Sequence, residues 1–278
     1  MPELPEVEVC RQGIAPELLG REIIDVVIRV PRLRQPVPPE LPALLTGCVV
    51  AGVRRRGKYL LLDCARKGVV QGCLILHLGM SGNLRFVPQG TPVEKHDHFD
   101  LVLAGQILRF ADPRRFGVIA WQAGLPEAAA LHPLISVLGV EPLSEAFTVD
   151  WFHQAIFRRS SPIKPVLMDG HLVVGVGNIY ASESLFRAGI SPLRAANRIS
   201  RVRCELLVTS VRATLSDAIA AGGSSIRDYV HSDGGAGCFQ IQAAVYDRAG
   251  ESCLRCDGQI RQIRQAGRST YYCPVCQR

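Results

Sequence analysis

Long apolar runs are missing from the chain: no stretch approaches the ~18 residues that a bilayer crossing needs. The first residues, MPELPEVE, place acids and prolines where a secretory leader would put a basic and then an apolar region. A cytoplasmic protein without a membrane partner is therefore expected. Lysine is scarce too. Only Lys58, Lys67, Lys95 and Lys164 stand among 32 basic residues, and the rest are arginine. Internal repeats and low-complexity segments are also absent, which argues against solenoid, fibrous and disordered architectures.

What remains is 278 residues with 47% hydrophobic content. At ~150 residues per domain that length suggests about two domains, each large enough for its own core. The formal charge is +7. Arginine presents a planar fork of donors that suits phosphate oxygens and stacks on bases, so a basic, arginine-rich chain points toward nucleic acid. GC-rich genomes also favour arginine, and composition alone leaves both readings open.

Residues 2–19 carry Val7, Ile14 and Leu18 at helical spacing, with Gly20 as a stop. From Ile23 to about Trp121 the pattern changes to short apolar, β-branched runs broken by turns. That predicts an antiparallel sandwich or barrel. Residues 122–134 lack the pattern and read as a linker. A helical period follows. Leu207, Val211, Leu215 and Ile219 recur every four residues across 201–221, with Ser200 as cap and Gly222-Gly223 as stop. A shorter helix is expected to begin near Asn178 and close at Gly189. Residues 222–238 are rich in glycine and serine and are expected to form a loop.

Six of the ten cysteines (Cys10, Cys48, Cys64, Cys73, Cys204, Cys238) are scattered and read as small buried hydrophobes. Cys253, Cys256, Cys273 and Cys276 differ, because they form C-x2-C-x16-C-x2-C. Two such pairs match a structural zinc ribbon, in which four thiolates close a tetrahedron and leave no position for water. A redox dithiol pair is the competing reading. The intervening hairpin carries Arg261, Arg264 and Arg268.

Pro2 follows the initiator methionine. Removal of Met1 would leave a secondary amine with a pKa near ~8, neutral in roughly one molecule in ten at pH 7. Such an amine attacking an aldehyde carbon gives an iminium, which is an electron sink for elimination. Glu3 and Glu6 lie within one turn of it and could move protons. Taken alone, PELPEVE also fits an ordinary helix start, with proline and acids at the positive end of the dipole.

PELPEVE, RRRGKYLLL (54–62), HLGMSG (77–82), DPRRFG (112–117), VGVGNIYASESLF (174–186) and the terminal cysteine unit occur in one order. Together they resemble the bacterial formamidopyrimidine-DNA glycosylase family, over essentially the whole chain. The resemblance implies an α+β fold. A β-sandwich catalytic domain with an opening helix would span 1–121 and a linker 122–134. A helix-two-turns-helix domain over 135–238 would include a lesion-capping loop at about 224–237, and a zinc ribbon would span 239–278.

The resemblance also implies roles. Pro2 attacks C1′ of a damaged nucleotide, Glu3 protonates the sugar, Glu6 supports the site, and Lys58 assists elimination near the lesion. Met80, Arg114 and Phe116 fill the gap left by an everted base. Lys164 and Asn178 hold phosphate and Arg268 grips it, while His96 is placed among the DNA-binding residues. One structural zinc and no catalytic cofactor are implied. The expected protein is a monomer acting on duplex DNA that contains oxidised purines or abasic sites. The pattern departs from the family's at Val9-Cys10, Gln12, Gly170-His171 and Cys238, none of them a carried catalytic position. Two alternatives stay open: an endonuclease VIII-like enzyme for oxidised pyrimidines, against which Leu4 argues, and a non-catalytic zinc-ribbon DNA-binding protein.

Overall fold

The computed structural model describes residues 1–223 and 243–278. They divide into two compact units, residues 1–136 with Gly222 and Gly223, and residues 137–221 with 243–278. The glycine- and serine-rich stretch expected to cap a lesion, 224–237, lies outside the described residues, as does Cys238.

The first unit opens with α1 (Leu4–Leu18). After it come β1 (Asp25–Ile28), the short α2 (Leu41–Leu45), β2 (Val49–Arg56), β3 (Tyr59–Arg66) and β4 (Val69–His77). The unit continues through β5 (Asn83–Pro88), β6 (Asp97–Leu103), β7 (Gln106–Ala111), β8 (Val118–Ala123) and α3 (Pro133–Ser136). The strands form two antiparallel sheets, ordered β1-β6-β7-β5 and β2-β3-β4-β8. One core joins them. Leu60, Leu62, Leu74 and Leu76 of one sheet share it with Phe99, Leu101, Leu108 and Phe110 of the other, and α1 adds Val7, Cys10, Ile14 and Leu18. The residues of this core alternate along each strand, but the opposite faces are buried as well, at Leu61, Ile75, Asp100 and Arg109, so the strands read as near-continuous apolar runs. The span 122–134 holds the end of β8 and a 3-10 turn over Pro126–Leu131, whose Ala129 is buried.

A buried charge network stiffens the β1-β6-β7-β5 sheet. Arg109 is 1% exposed; its guanidinium donates to both oxygens of Asp100, at 3.0 and 2.9 Å, and to Asp97 at 3.3 Å. It also donates to the carbonyl of Pro92 at 3.0 Å, which pins the segment leading to His96. Buried charges persist only when paired in this way.

In the second unit, α4 (Val149–Ile156), α5 (Ile163–Leu167), α6 (Asn178–Arg187) and α7 (Arg201–Ala220) surround a core built on Phe147, Phe152, Tyr180, Leu185, Leu207, Val211 and Leu215. Helix α7 begins at Ser200, whose hydroxyl accepts the Arg203 N–H at 3.4 Å, and it stops at Gly222 with φ +83°. The chain ends in a hairpin of β9 (Arg261–Gln265) and β10 (Arg268–Tyr272). No helix among the described residues is long and apolar enough to cross a membrane. Cys10, Cys48, Cys64, Cys73 and Cys204 are buried, and burial pushes the Cys64 and Cys204 thiols up to about 12 and about 11. Those thiols are inert filling.

Candidate functional site

The start of α1 is buried and acidic. Pro2 is buried, and Glu3 and Glu6 are 2% and 1% exposed. The Glu6 carboxylate reaches back to accept the Glu3 backbone N–H at 2.7 Å, so a side chain of the first turn holds the peptide that carries Pro2. Glu8 fixes the helix on β2 by accepting from Arg55 at 2.9 Å and Arg11 at 2.7 Å. Arg54 likewise chelates Asp63 with two bonds of 2.6 Å. Two arginines of the basic run before Lys58 are thus spent on folding. Gly223, the last described residue before 243, lies against Glu6 with φ +82°; a Cβ there would sit 3.5 Å from it.

Lys58 occupies the two-residue turn Gly57-Lys58 that joins β2 to β3, where Arg56 pairs with Tyr59. Gly57 takes φ +57°, which suits the first position of a type II′ hairpin, and the turn presents Lys58 at its tip. The cross-strand partner of Tyr59 is His77, with ring centroids 4.7 Å apart. Sequence reasoning gives His77 no role, although it opens the HLGMSG motif. A polar ring at the end of the apolar run LILHLG was the available signal. Its Nδ1 accepts the Gly79 N–H at 2.9 Å, which leaves the proton on Nε2. Burial, then the charges of Lys58 and Arg34, push its pKa down to about 4.

That shift has a measurable consequence. The unfolded ring titrates near ~6.5, so below that value the unfolded chain takes up a proton that the folded chain refuses. The stabilising contribution is complete above pH 6.5 and is lost as pH falls through about 4. Thermal melts between pH 7 and 4 should therefore lose less stability in His77→Gln than in the unaltered chain. Parallel curves would contradict a neutral, half-buried ring.

Two turns carry the residues expected to enter DNA. Met80 lies between β4 and β5 and is 37% exposed; Phe116 lies between β7 and β8 and is 43% exposed. The Arg114 guanidinium stacks 5.1 Å above the Phe116 ring. Apolar side chains held in the open beside a cation are unusual for a core and suited to a stack of bases. His96 is half-buried, and its carbonyl accepts the Asp112 N–H at 3.0 Å.

In the second unit, Lys164, Asn178 and Arg268 line one cleft of ≈190 Å³. Lys164 is 1% exposed. Its ammonium donates to Asn178 Oδ1 at 2.7 Å, Thr270 Oγ1 at 2.8 Å and the Ser269 carbonyl at 3.1 Å. Three donors are all that an ammonium has. It therefore ties the first residue of α6 to β10 from inside, and the exposed cation of the cleft is Arg268. Asn178 adds a bond from Nδ2 to the Ser269 carbonyl at 3.0 Å. The hairpin turn that presents Arg268 uses Ala266 and Gly267 at φ +46° and +76°.

The four C-terminal cysteines converge. Their sulfurs all lie within 4.8 Å of one another, with three of the separations at 3.4, 3.5 and 3.9 Å. A tetrahedron with Zn–S bonds of about 2.3 Å has edges of about 3.8 Å, so the set fits zinc. Backbone N–H groups of Arg255, Gly258 and Cys276 point at Cys253, Cys256 and Cys273, each at 3.4 Å. Such donors stabilise thiolates. Glu183, in the GNIYASE segment, accepts the N–H groups of Ala244, Val245 and Tyr246 at 2.9, 3.0 and 2.8 Å and anchors the lead into this unit.

Three family models match the chain: the formamidopyrimidine-DNA glycosylase N-terminal domain over residues 1–119, the H2TH domain over 138–230, and a zinc finger found in FPG and IleRS over 250–278. A formamidopyrimidine-DNA glycosylase of Dechloromonas aromatica is 74% identical over 277 residues, covering all of both chains. Among solved structures, a Lactococcus lactis FPG mutant in complex with Fapy-dG-containing DNA aligns with TM-score 0.90 at 36% identity, with full coverage of both chains. The Lactococcus lactis Fpg complexed with abasic-site DNA aligns with TM-score 0.89 at 35% identity, covering 99% of each. With this fold, this acidic helix start and this four-cysteine ribbon matched end to end, the chain belongs to the formamidopyrimidine-DNA glycosylase family.

Proposed function

We propose that the chain is a bifunctional DNA glycosylase and abasic-site lyase of base-excision repair, acting in the cytoplasm on oxidised purines in duplex DNA. The observation that carries this reading is the start of α1, where Pro2 is followed by two buried carboxylates and Glu6 holds the Glu3 peptide at 2.7 Å.

The chemistry follows from those groups. The Pro2 nitrogen bonds to C1′ while the C1′–N9 bond breaks, and its electron pair leaves with the base, which takes up a proton. Glu3 protonates the ring oxygen and opens the sugar. The resulting iminium acidifies C2′; loss of a proton there expels the 3′ phosphate, and a second elimination expels the 5′ phosphate. Water then hydrolyses the iminium and frees the amine. Lys58 lies at a hairpin tip beside His77, where a cation and an Nε2 donor can hold a phosphate and stabilise the leaving group. Met80, Arg114 and Phe116 offset the few kcal/mol that base eversion costs. Arg268, Asn178 at the N-terminus of α6 and His96 grip the backbone. Lys164 acts through Asn178 and β10 without reaching phosphate. Zinc on Cys253, Cys256, Cys273 and Cys276 supplies folding energy to the ribbon and, with its coordination closed by four sulfurs, no reacting position.

Single-turnover cleavage of duplexes with a central 8-oxoguanine, formamidopyrimidine or oxidised pyrimidine tests the reading. Scission of the purine lesions at least about tenfold faster, with phosphate left on both ends of the gap, is expected. Preference for the pyrimidine would favour the endonuclease VIII-like alternative. Binding without scission of any of them would leave a zinc-ribbon DNA-binding protein.

A further inference from the structure

Asp112 is a fully engaged acid of the first unit, and its engagement lies between the two turns that carry Met80, Arg114 and Phe116. It is 0% exposed. Its Oδ1 accepts the Ser81 hydroxyl at 2.8 Å and the Arg114 N–H at 3.3 Å, and its Oδ2 accepts the Gly117 N–H at 2.7 Å. The Ser81 oxygen accepts the Arg114 N–H in turn, at 3.2 Å. The Asp112 backbone is tied as well. Its carbonyl accepts His98 Nε2 at 2.9 Å and the Arg115 N–H at 3.2 Å, and its N–H donates to the His96 carbonyl at 3.0 Å.

The turns also touch directly. A Cβ on Gly79 would come within 2.5 Å of the Gly117 nitrogen and the Phe116 carbonyl carbon. A Cβ on Gly117 would meet the Phe110 ring at 2.6 Å and Asp112 Oδ2 at 3.1 Å. Backbone approach this close admits only glycine. Within the second turn Arg115 takes φ +55°, an uncommon conformation for a side chain with a Cβ, which surrounding contacts must hold.

We propose that Asp112 and Ser81 are positioning residues that lock the Met80 turn to the Arg114–Phe116 turn, so that the three side chains enter the duplex as one rigid wedge. Neither residue touches the reacting atoms. Their effect is on the eversion step, because a wedge whose parts move separately must be ordered during insertion and forfeits part of what it gains. The inference rests on the glycosylase reading above, and it predicts a split between substrates. An intact 8-oxoguanine has to be unpaired and expelled before chemistry, whereas an abasic site has no base to expel.

Ser81→Ala is the informative variant, since at a half-buried position it removes the hydroxyl's bond to the charged Asp112 and its longer bond from the Arg114 N–H, and leaves the Asp112 bonds to Gly117 and Arg114 in place. Excision of 8-oxoguanine opposite cytosine should slow about tenfold, the size expected for such a bond. Cleavage of a preformed abasic duplex should change less than about twofold, and Ser81→Thr, which keeps the hydroxyl, should recover excision. Asp112→Asn should slow excision further with the same selectivity; should it fail to fold, the serine pair still decides. Full excision by Ser81→Ala, or equal loss on both duplexes, overturns the wedge. A wild-type chain inert on the oxidised duplex overturns the glycosylase reading and the wedge with it.

Discussion

Borohydride added to the mature protein and an 8-oxoguanine duplex should trap a covalent adduct, and peptide mapping should place it on the fragment that begins at Pro2. The expectation follows from relative amine availability. An α-amine with a pKa near ~8 is neutral in roughly one molecule in ten at pH 7, against about one in 2,500 for an ordinary lysine. Only the neutral form attacks C1′, and the iminium formed by a secondary amine stays cationic without a proton. The structure adds a holder, because Glu6 grips the adjacent peptide N–H and Glu3 is buried beside it. An uncleaved tag or a retained Met1 turns the nitrogen into an amide, so strand scission should fall below detection while binding to an abasic duplex persists. An adduct found only on Lys58, or full scission by the tagged chain, would sink the assignment.

Removal of zinc should weaken duplex binding severely while leaving the sandwich intact. The ribbon cannot stand alone. Its strands are five residues each, and its buried cluster is Phe186, Val245, Ile260 and Tyr271 with two of the cysteines. A hairpin that small is marginal in water, whereas zinc on four thiolates contributes on the order of 10 kcal/mol or more. The damage should also spread within the second unit. Lys164 would lose the Ser269 carbonyl and Thr270 hydroxyl, leaving a buried cation with fewer partners and Asn178 without its anchor. Cys273→Ser, or stripping with a chelator, should release one equivalent of metal, weaken duplex binding by at least about a hundredfold and leave a melting transition from the two-sheet core of the first unit. Unchanged affinity after verified metal loss would refute a structural zinc site.

Local signals were legible and nearby. Helix α7 announces itself by a serine cap, apolar residues every four positions and a glycine stop, all within 23 residues. The sandwich strands show as short apolar runs between turns, because most of β3, β4, β6 and β7 is buried on both faces. The four cysteines show by spacing. The catalytic start was legible only as a motif, since a helix opening with proline and acids is ordinary in itself.

Nothing near Lys164 says that it is buried, for two of its acceptors lie 105 and 106 positions away. Asp112 reads as a turn residue in DPRRFG, and its bond to Ser81 spans 31 positions. The arginine excess misleads in the same way. Arg54, Arg55, Arg85 and Arg109 are spent on Asp63, Glu8, Asp97 and Asp100, pairings that cancel charge and leave the net +7 to be carried by others.

Sequence by itself determined the elements and the four-cysteine set, and it pointed to the candidate nucleophile, because helical and strand patterns, CxxC turns and an amine next to carboxylates are all short-range properties. Tertiary structure alone decided which charged groups stay at the surface and which are buried to hold the protein together. A side chain's burial and partners depend on segments brought together across the fold, and a cation's role is settled by what surrounds it.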